Sequence, residues 1–389
     1  MNTLGKTHLL IIDPQNDFCD IPGAALPVPG AQADMQRLAG LVARIGQQLD
    51  AIHVTLDTHN PLDIAHPGWW QDAAGASPAP FTVISIDEVR QGRWQARDAS
   101  QAARSLAYVQ TLAERGRYQL IIWPEHCLLG SWGHNVEATL FEALLQWGRT
   151  QLRTVNYVTK GINPTTEHYS AIQAEVPDDA DPHTLVNQAL LARLRQADTI
   201  LIAGEALSHC VASTVRDLAE QLGPDHIGKL MLLTDCASPV SGFEPMGRRF
   251  VEEMSAMGMR TMTVGRLPSQ MGLEPADATV VLYRPTGSQE LALVHASGNK
   301  RWPARLPEQP IFYPVTNAEY ASEIAADWNV KASGSGYVTR FVVRKAFMDR
   351  YPVQCVGAAH HTEWWVPAEE LEALNDNIIG NIEVIAEFK

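Results

Sequence analysis

The chain contains the segment Thr199-Ile-Leu-Ile-Ala-Gly-Glu-Ala-Leu-Ser-His-Cys210, in which an apolar run leads through a short turn to a cysteine. Residues 211–218 continue with a helical pattern. A strand, a turn and a helix in this order are typical of a doubly wound α/β fold. A cysteine that opens the helix meets unpaired backbone N–H groups and the positive end of the helix dipole, which favour the thiolate. The segment therefore predicts a cysteine nucleophile, with a small buried packing residue as the alternative.

Apolar runs of the same kind recur through the first two thirds of the chain. They are apolar throughout rather than alternating, which is typical of strands buried on both faces of a parallel sheet. Helical patterns lie between them, as at Leu38, Leu41, Val42 and Ile45. We therefore expect a doubly wound parallel sheet flanked by helices, with a site beyond the carboxyl ends of the strands. The predicted strands are 8–13, 51–57, 118–123, 154–160, 199–203, 229–235 and 259–264.

The pattern changes near residue 266. A length of 389 residues suggests two or three domains, and we expect the first to span 1–265. Residues 266–277 are rich in proline and glycine and predict a linker. Residues 278–389 predict a smaller α+β domain. Its expected strands are 279–284, 336–343 and 381–388, its expected helices are 288–296, 318–328 and 368–374, and its expected core aromatics are Tyr283, Trp302, Phe312, Tyr313 and Trp328.

Composition excludes some classes of partner. The chain is 46% hydrophobic with a formal net charge of −14, and it has no basic run, which argues against nucleic acid or an anionic membrane as a partner. No apolar run approaches a membrane span, and the first residues lead directly into a strand, so we expect a cytoplasmic protein. The cysteines are scattered and odd in number, which predicts reduced thiols. They are Cys19, Cys127, Cys210, Cys236 and Cys355.

Three polar residues end or follow predicted strands that lie far apart in the sequence: Asp13, Lys160 and Cys210. The carboxyl ends of parallel strands meet at one edge of the sheet, so these side chains can converge. A carboxylate near the thiol can take its proton, and an ammonium group stabilises the thiolate. A helix-capping Asp and a solvated Lys are the alternatives for the first two residues.

A second polar cluster follows the strand that ends at Asp57. His59 lies two residues further on, and His126 follows a neighbouring predicted strand. A carboxylate with two imidazoles and room for water suits Zn, Fe or Mn. His66 is a further candidate ligand. The alternative is that these histidines cap strands and bond to loops.

The chain contains five motifs in the following order: Leu10-Ile-Ile-Asp-Pro-Gln-Asn-Asp-Phe-Cys19, Asp57-Thr-His59, Trp123-Pro-Glu-His-Cys127, Lys160-Gly161 with Tyr169-Ser-Ala171, and Gly204-Glu-Ala-Leu-Ser-His-Cys210. Together they resemble the isochorismatase-like cysteine hydrolases over about residues 7–265, and within them the nicotinamidase/pyrazinamidase branch. The metal-ligand pair Asp57 and His59 and the Trp-Pro-x-His-Cys segment distinguish this branch from the isochorismatases proper.

The resemblance implies hydrolysis of a small carboxamide, above all nicotinamide to nicotinate and ammonia, through a thioester on Cys210. It also implies a divalent metal, with Zn ahead of Fe or Mn, and a homo-oligomer. The implied site residues are Asp13, Lys160 and Cys210 as a catalytic triad; Asp57, His59 and His126 as metal ligands; the N–H groups of Ala206 and Cys210 as an oxyanion hole; a cis peptide between Glu205 and Ala206; and Phe18 and Trp123 beside the substrate ring.

The chain departs from the family pattern in three places. Leu207-Ser208 stands where relatives usually carry Thr-Asp. Relatives have a histidine as a fourth metal ligand. The corresponding positions of this chain hold Asp63 or Ala65, and His66 corresponds only if the alignment is shifted by one residue. Residues 71–110 look like an insertion, either a lid over the pocket or a surface excursion with Trp69 and Trp70 packed on the body. Nicotinamide is therefore less securely implied than amide hydrolysis.

Residues 278–389 resemble, less specifically, small bacterial domains related to ADP-ribosylation. That resemblance would place Arg284 at the phosphates of NAD and Glu363 at a ribose. A domain for oligomerisation, partner binding or protection of the active-site edge is the simpler interpretation. Two other functions stay open for the whole chain. One is an isochorismatase-like hydrolase of a vinyl ether, carbamoyl or ureido compound, and the other is a two-domain sensor of NAD metabolites with little turnover.

Overall fold

The computed structural model describes residues 4–271, 279–306 and 308–389. The chain divides into two compact units, before and after about residue 272. The expected boundary at 266–277 stays a prediction. Residues 272–277 of the expected linker lie outside the described residues, and Leu267–Gln270 form a short helix. No helix among the described residues is both long and apolar enough to span a bilayer.

The first unit is built on a six-stranded, entirely parallel sheet, which confirms the expected fold class. Its strand order is β10-β9-β8-β1-β2-β7. The strands of this unit are β1 (Thr7–Ile12), β2 (Leu49–Asp57), β3 (Trp70–Gln71), β4 (Val83–Ile84), β5 (Gln95–Ala96), β6 (Leu120–Ile121), β7 (Asn156–Lys160), β8 (Thr199–Gly204), β9 (Leu230–Leu233) and β10 (Arg260–Met262). Its helices are α1 (Ala31–Ile45), α2 (Ile86–Arg90), α3 (Ala102–Arg115), α4 (Ala138–Gln151), α5 (Gln188–Leu194), α6 (Ala212–Leu222), α7 (Glu244–Ala256) and α8 (Leu267–Gln270).

The centre of this sheet is apolar because β1 and β8 are buried along their whole length. The chain runs outward from β1 through β2 to β7 on one side, and from β8 through β9 to β10 on the other. The order of the strands therefore reverses between β1 and β8. Crevices at such a reversal are where open α/β sheets bind ligands.

One strand prediction is wrong in its placement. Residues 118–123 were expected in the parallel sheet, but β6 pairs antiparallel with β4, which belongs to residues 71–110. This pairing is possible because the inserted segment folds back, so that Ile122 N–H donates to the Thr82 carbonyl. Trp69 and Trp70 are buried, so both aromatics pack on the body of the unit.

The second unit is α+β, as expected. Its main sheet is antiparallel, in the order β11-β13-β17. Trp302 and Phe312 lie in its core, but Trp328 is 75% exposed and Tyr313 39% exposed, so the prediction that both are core residues is wrong. The strands are β11 (Thr279–Gly287), β12 (Ile311–Phe312), β13 (Gly336–Arg344), β14 (Val353–Cys355), β15 (Thr362–Trp364), β16 (Val366–Pro367) and β17 (Ile378–Phe388); the helices are α9 (Ser288–Ala296), α10 (Ala318–Ile324), α11 (Val330–Ser333), α12 (Lys345–Met348) and α13 (Leu371–Asp376).

A buried histidine on β2 makes the stability of the first unit depend on pH. Burial, with the His8 ring beside it, lowers the pKa of His53 to about 4. An unfolded chain holds this proton up to a pKa of about 6.5, so between these values the unfolded state binds more protons and the free energy of unfolding falls as the pH falls. We expect His53 to account for a loss of about 1 kcal/mol between pH 7.5 and 5.5 in urea unfolding.

The matched variants are His53→Gln and His226→Gln, because His226 is an exposed histidine of the same unit. The first should remove this part of the pH dependence and the second should keep it. An unchanged pH dependence in His53→Gln would contradict the assignment.

Candidate active site

The ends of the central strands bring together residues that are distant in the sequence. Asp13 follows β1, Cys210 lies six residues after β8, and the two strands are neighbours. Their close approach requires Gly204, whose φ is +110°, because a Cβ there would lie 2.0 Å from the Ile12 carbonyl oxygen. This glycine thus sets the approach of the loop that carries Cys210 to the loop that carries Asp13.

Lys160 links the predicted triad to the predicted metal site. Its ammonium nitrogen, which ends β7, lies 2.9 Å from Asp13 Oδ2 and 2.9 Å from Asp57 Oδ1. It also lies 3.6 Å from Cys210 Sγ and donates to the His168 carbonyl at 2.8 Å. The side chain is buried. A buried ammonium between two carboxylates is held in its charged form, which fixes all three groups in place.

Asp13 is positioned by its own backbone and by Thr55 on β2. The residue has a φ of +45°, which is uncommon for a non-glycine residue. Thr55 Oγ1 donates to Asp13 Oδ1 at 2.5 Å and accepts from the Asp13 N–H at 3.0 Å. The other oxygen, Oδ2, is buried and accepts no well-aligned hydrogen bond from the described residues. Burial raises the pKa of Asp13, and the Lys160 ammonium opposes this effect.

The Cys210 thiol does not sit at the start of a regular helix. It lies inside a π-helical turn, Leu207–Val211, that precedes α6. Burial raises the pKa of this thiol well above its usual value; Lys160 lowers it and Asp13 raises it. Burial therefore opposes the thiolate that the helix terminus was expected to favour, and a base near the thiol would assist its ionisation.

A small cavity opens beside this thiol. The predicted ring-flanking residues Phe18 and Trp123 both line it, as do Ala206 and Cys210, which were predicted to form an oxyanion hole. The peptide bond between Glu205 and Ala206 is cis, as the resemblance implies. The remaining lining residues are Leu26, Asp57, His126, Glu167, His168, Tyr169, His209 and Val240. One cavity therefore adjoins both the thiol and two of the predicted metal ligands.

Asp57, His59 and His126 converge as predicted. The Nε2 atoms of His59 and His126 lie 3.0 and 3.5 Å from Asp57 Oδ2. The Nδ1 atom of His59 faces Asp63 Oδ2 at 3.0 Å, and that of His126 faces the Pro124 carbonyl at 2.8 Å. Metal-binding histidines are commonly held in this way, with one ring N–H donating to an oxygen and the other nitrogen left for the ion.

The structure distinguishes the two candidates for a fourth ligand. His66 joins His59 and His126, with one ring nitrogen of each within 4.8 Å of the others. Its Nδ1 is buried and has no hydrogen-bond partner among the described residues. Asp63 instead accepts the bond from His59 and orients that ring. The donor set of three imidazoles and a carboxylate fits a divalent transition metal, and His66 is the candidate fourth ligand that register alone did not identify.

Two positioning residues were not predicted from the sequence. Thr55 holds Asp13, and Gln15 exchanges hydrogen bonds with the Asp57 backbone at 2.7 and 2.8 Å. Thr55, close to the end of a predicted buried strand, was a usable signal, because a buried hydroxyl needs a partner. Tyr169, which begins the motif Tyr169-Ser-Ala171, accepts a hydrogen bond from Trp123 Nε1 at 2.9 Å and so holds the indole ring in place.

The second unit has a separate cavity of about 900 Å³ that includes Arg284 and Glu363 among its lining residues. Arg284 is already engaged, since its guanidinium donates to both carboxylate oxygens of Glu290. Glu363 accepts a hydrogen bond from Trp365 Nε1 at 2.8 Å. The ion pair with Glu290 would have to break before Arg284 could grip a phosphate, so the ADP-ribosylation role stays a prediction.

Glu323, His360 and His361 form another group with ligand-type atoms close together in this unit. His361 Nδ1 accepts the Ala358 N–H at 3.1 Å, so the ring proton of the neutral side chain is on Nε2. That Nε2 donates to Glu323 at 2.8 Å. The group is thus a hydrogen-bonded cluster whose donor set does not suit a metal in this arrangement.

Comparisons with known proteins point to the same enzyme class as the motifs. No protein-family model matches the chain. The nicotinamidase of Acinetobacter baylyi is 27% identical over 225 residues, which cover 57% of this chain and 78% of that protein. The nicotinamidase of Escherichia coli is 25% identical over 256 residues, which cover 66% of this chain and 94% of that protein. This chain is similar to nicotinamidases.

A search of solved structures also found nicotinamidases. The structure of the yeast nicotinamidase aligns with 66% of this chain and 99% of that chain, at 21% identity and a TM-score of 0.46. The fold of the first unit is assigned from its own strand order and parallel pairing rather than from this alignment.

Proposed function

We propose that the chain hydrolyses a small aromatic carboxamide, above all nicotinamide, to the carboxylate and ammonia. The observation that carries this proposal is the position of Lys160, whose ammonium lies 2.9 Å from Asp13 and Asp57 and 3.6 Å from the Cys210 sulfur. A thiol, a base and a cation thus lie together beside candidate metal ligands, and the thiol lines the cavity. Similarity to two nicotinamidases supports the choice of substrate class.

The first half of the proposed reaction makes a thioester. Asp13 takes the proton of the Cys210 thiol, and the Lys160 ammonium stabilises the thiolate as it forms. The sulfur attacks the carboxamide carbon, and the N–H groups of Ala206 and Cys210 hold the oxyanion. Asp13 then gives its proton to the leaving nitrogen, the C–N bond breaks, and ammonia leaves. The raised pKa of Asp13 suits this double role, because the carboxyl can hold the proton between the two steps.

The second half hydrolyses the thioester. Asp13, again a carboxylate, accepts a proton from water as the water oxygen attacks the carbonyl carbon. The C–S bond breaks, the proton returns to the sulfur, and the carboxylic acid is released. Phe18 and Trp123 hold the ring during both halves, and the hydrogen bond from Trp123 to Tyr169 keeps the indole in one orientation. Each turnover consumes one amide and one water and yields one acid and one ammonia.

We further propose that Asp57, His59, His66 and His126 hold a divalent metal, with zinc ahead of iron or manganese. The bound ion would orient the ring nitrogen of the substrate and organise water. The purified protein should contain about one equivalent per chain. His66→Ala should weaken metal affinity at least about 10-fold, measured as metal content after dialysis against a graded chelator.

His226→Ala is the matched control, because this histidine is exposed and lies outside the cluster. It should retain the metal content of the wild type. A His66→Ala protein that also keeps its metal under the same chelator series would overturn the assignment of His66 as a ligand.

The function is tested by incubating the purified protein with nicotinamide and measuring ammonia and nicotinate together. Equal amounts of both products, formed over many turnovers, are expected. Metal-free protein without amidase activity would instead favour an isochorismatase-like hydrolase of another substrate. Tight binding of nicotinamide without turnover would favour a sensor of NAD metabolites.

We also propose a cellular compartment and an oligomeric state for the protein. The five cysteines are all unpaired, which supports a reducing compartment such as the cytoplasm. A homo-oligomer is proposed from the family resemblance alone and is tested by the mass of the protein in solution.

A further inference from the structure

The cavity of about 900 Å³ in the second unit has four aromatic side chains in its wall: Tyr313, Tyr320, Trp328 and Trp365. Two of them are unusually open to solvent, since Trp328 is 75% exposed and Trp365 45% exposed. Tyr313 packs edge-to-face on Trp365, with 6.1 Å between the ring centroids. Large rings that stay open in a concave wall of this size are typical of a ligand site rather than of a core.

Three carboxylates line the same cavity, those of Glu323, Asp327 and Glu363. Glu363 is only 8% exposed, and its Oε1 accepts a hydrogen bond from Trp365 Nε1 at 2.8 Å. The Tyr320 hydroxyl also hydrogen-bonds to this carboxylate. Both donors are neutral, so they fix the Glu363 carboxylate in place without cancelling its charge.

The positive groups at this cavity do not balance the three carboxylates. The Arg284 guanidinium, which lines the wall, donates to both carboxylate oxygens of Glu290 at 2.9 and 3.1 Å. Arg305 lies 3.1 Å from the same carboxylate, so these three side chains together carry one positive charge. Even a protonated His361, which also lines the wall, would leave an excess of negative charge. An anion could use Arg284 only by breaking its ion pair with Glu290.

Aromatic faces and carboxylates attract the same class of ligand. The face of an aromatic ring carries negative electron density, so a cation over a Trp or Tyr ring is stabilised, and quaternary ammonium groups are recognised in this way. A carboxylate adds a charge-assisted hydrogen bond or an ion pair. An ammonium group alone would occupy a small part of about 900 Å³, so the ligand also needs an apolar body.

We propose that the cavity of the second unit binds a small organic cation, in which a protonated or quaternary amine is carried on an apolar or aromatic body. The fixed carboxylate of Glu363 attracts the amine, and the open rings of Trp328 and Trp365 contact the body. The inference is independent of the proposed amide hydrolysis, because the residues that carry it all belong to the second unit.

Four compounds that share a phenylethyl body separate the effect of charge from that of shape. They are 2-phenylethylamine, its N,N,N-trimethyl derivative, the neutral 2-phenylethanol and the anionic 3-phenylpropanoate. Isothermal titration calorimetry of the full chain at neutral pH measures the four affinities. At least one of the two amines should bind at least about 10-fold more tightly than the alcohol, and the acid should bind more weakly than the alcohol.

Two variants remove the groups that would produce this preference. Trp328→Ala deletes an exposed ring, and Glu363→Gln deletes the charge but keeps an oxygen that can accept from Trp365. Each should lower the advantage of the amine over the alcohol at least about 3-fold. Trp132→Ala and Glu372→Gln are the matched controls, because both residues are exposed and lie outside this cavity, and they should keep the advantage.

The advantage is a ratio of two affinities within one preparation, so a partly unfolded variant does not distort it. Affinities of both amines no higher than that of the alcohol would overturn the proposal, as would tighter binding of the acid than of either amine. An advantage that persists unchanged in Trp328→Ala or in Glu363→Gln would also overturn it. Since the readout is binding rather than turnover, the proposed hydrolase activity can fail or stand without affecting this test.

Discussion

Cys210→Ala is expected to lower the rate of ammonia release from nicotinamide by at least about 10³-fold, because it removes the atom that forms the thioester. No other described cysteine lines the cavity, so none can replace it. The substitution removes one sulfur from a buried side chain, and we expect the fold to survive it. Ammonia release at saturating nicotinamide measures the effect, and circular dichroism with thermal unfolding verifies the fold.

Cys236→Ala is the matched control for this experiment. Cys236 is also a fully buried, unpaired cysteine of the first unit, but it lies outside the cavity. It should keep ammonia release within a few-fold of the wild type. Equal losses in both variants would show that Cys210 acts through packing rather than as the nucleophile.

Lys160→Met is expected to have the second largest effect, and on two properties at once. The variant leaves Asp13 and Asp57 buried without the ammonium that lies 2.9 Å from each. Removing one partner of a buried ion pair typically costs about 3 to 5 kcal/mol, so urea unfolding should show a loss of roughly that size. Ammonia release should fall at least about 100-fold, because thiolate formation also loses its nearest cation.

Lys229→Met provides the comparison. Lys229 donates to the Ala197 carbonyl at 3.0 Å and is paired with no carboxylate among the described residues. The Lys229→Met variant should therefore lose little stability and no activity. A Lys160→Met protein as stable and as active as Lys229→Met would contradict the account of the charged network.

The sequence predicted most of the framework because strand ends in a parallel sheet are geometrically constrained. Asp13, Lys160 and Cys210 could be placed together once the strands before them were recognised, since β7, β2, β1 and β8 are neighbours in that order. Asp57 and His59 followed for the same reason. The polar residue at the end of a buried strand was the informative signal in each case.

The sequence did not predict features that depend on how loops close. His66 rather than Asp63 completes the histidine cluster because the turn after His59 brings the later residue inward, which spacing does not reveal. The pairing of β6 with β4 depends on the return path of residues 71–110. The pKa of Cys210 also depends on its burial, which opposes the effect of a position near a helix start.

If Cys210 carries the acyl group as a thioester, that intermediate can be intercepted before water hydrolyses it. Hydroxylamine added to the reaction competes with water for a thioester, so we expect nicotinohydroxamate to form at the expense of nicotinate, with ammonia equal to the sum of the two. Cys210→Ala should form neither product. Active wild-type enzyme that yields only nicotinate at saturating hydroxylamine would contradict the thioester and with it the role of Cys210.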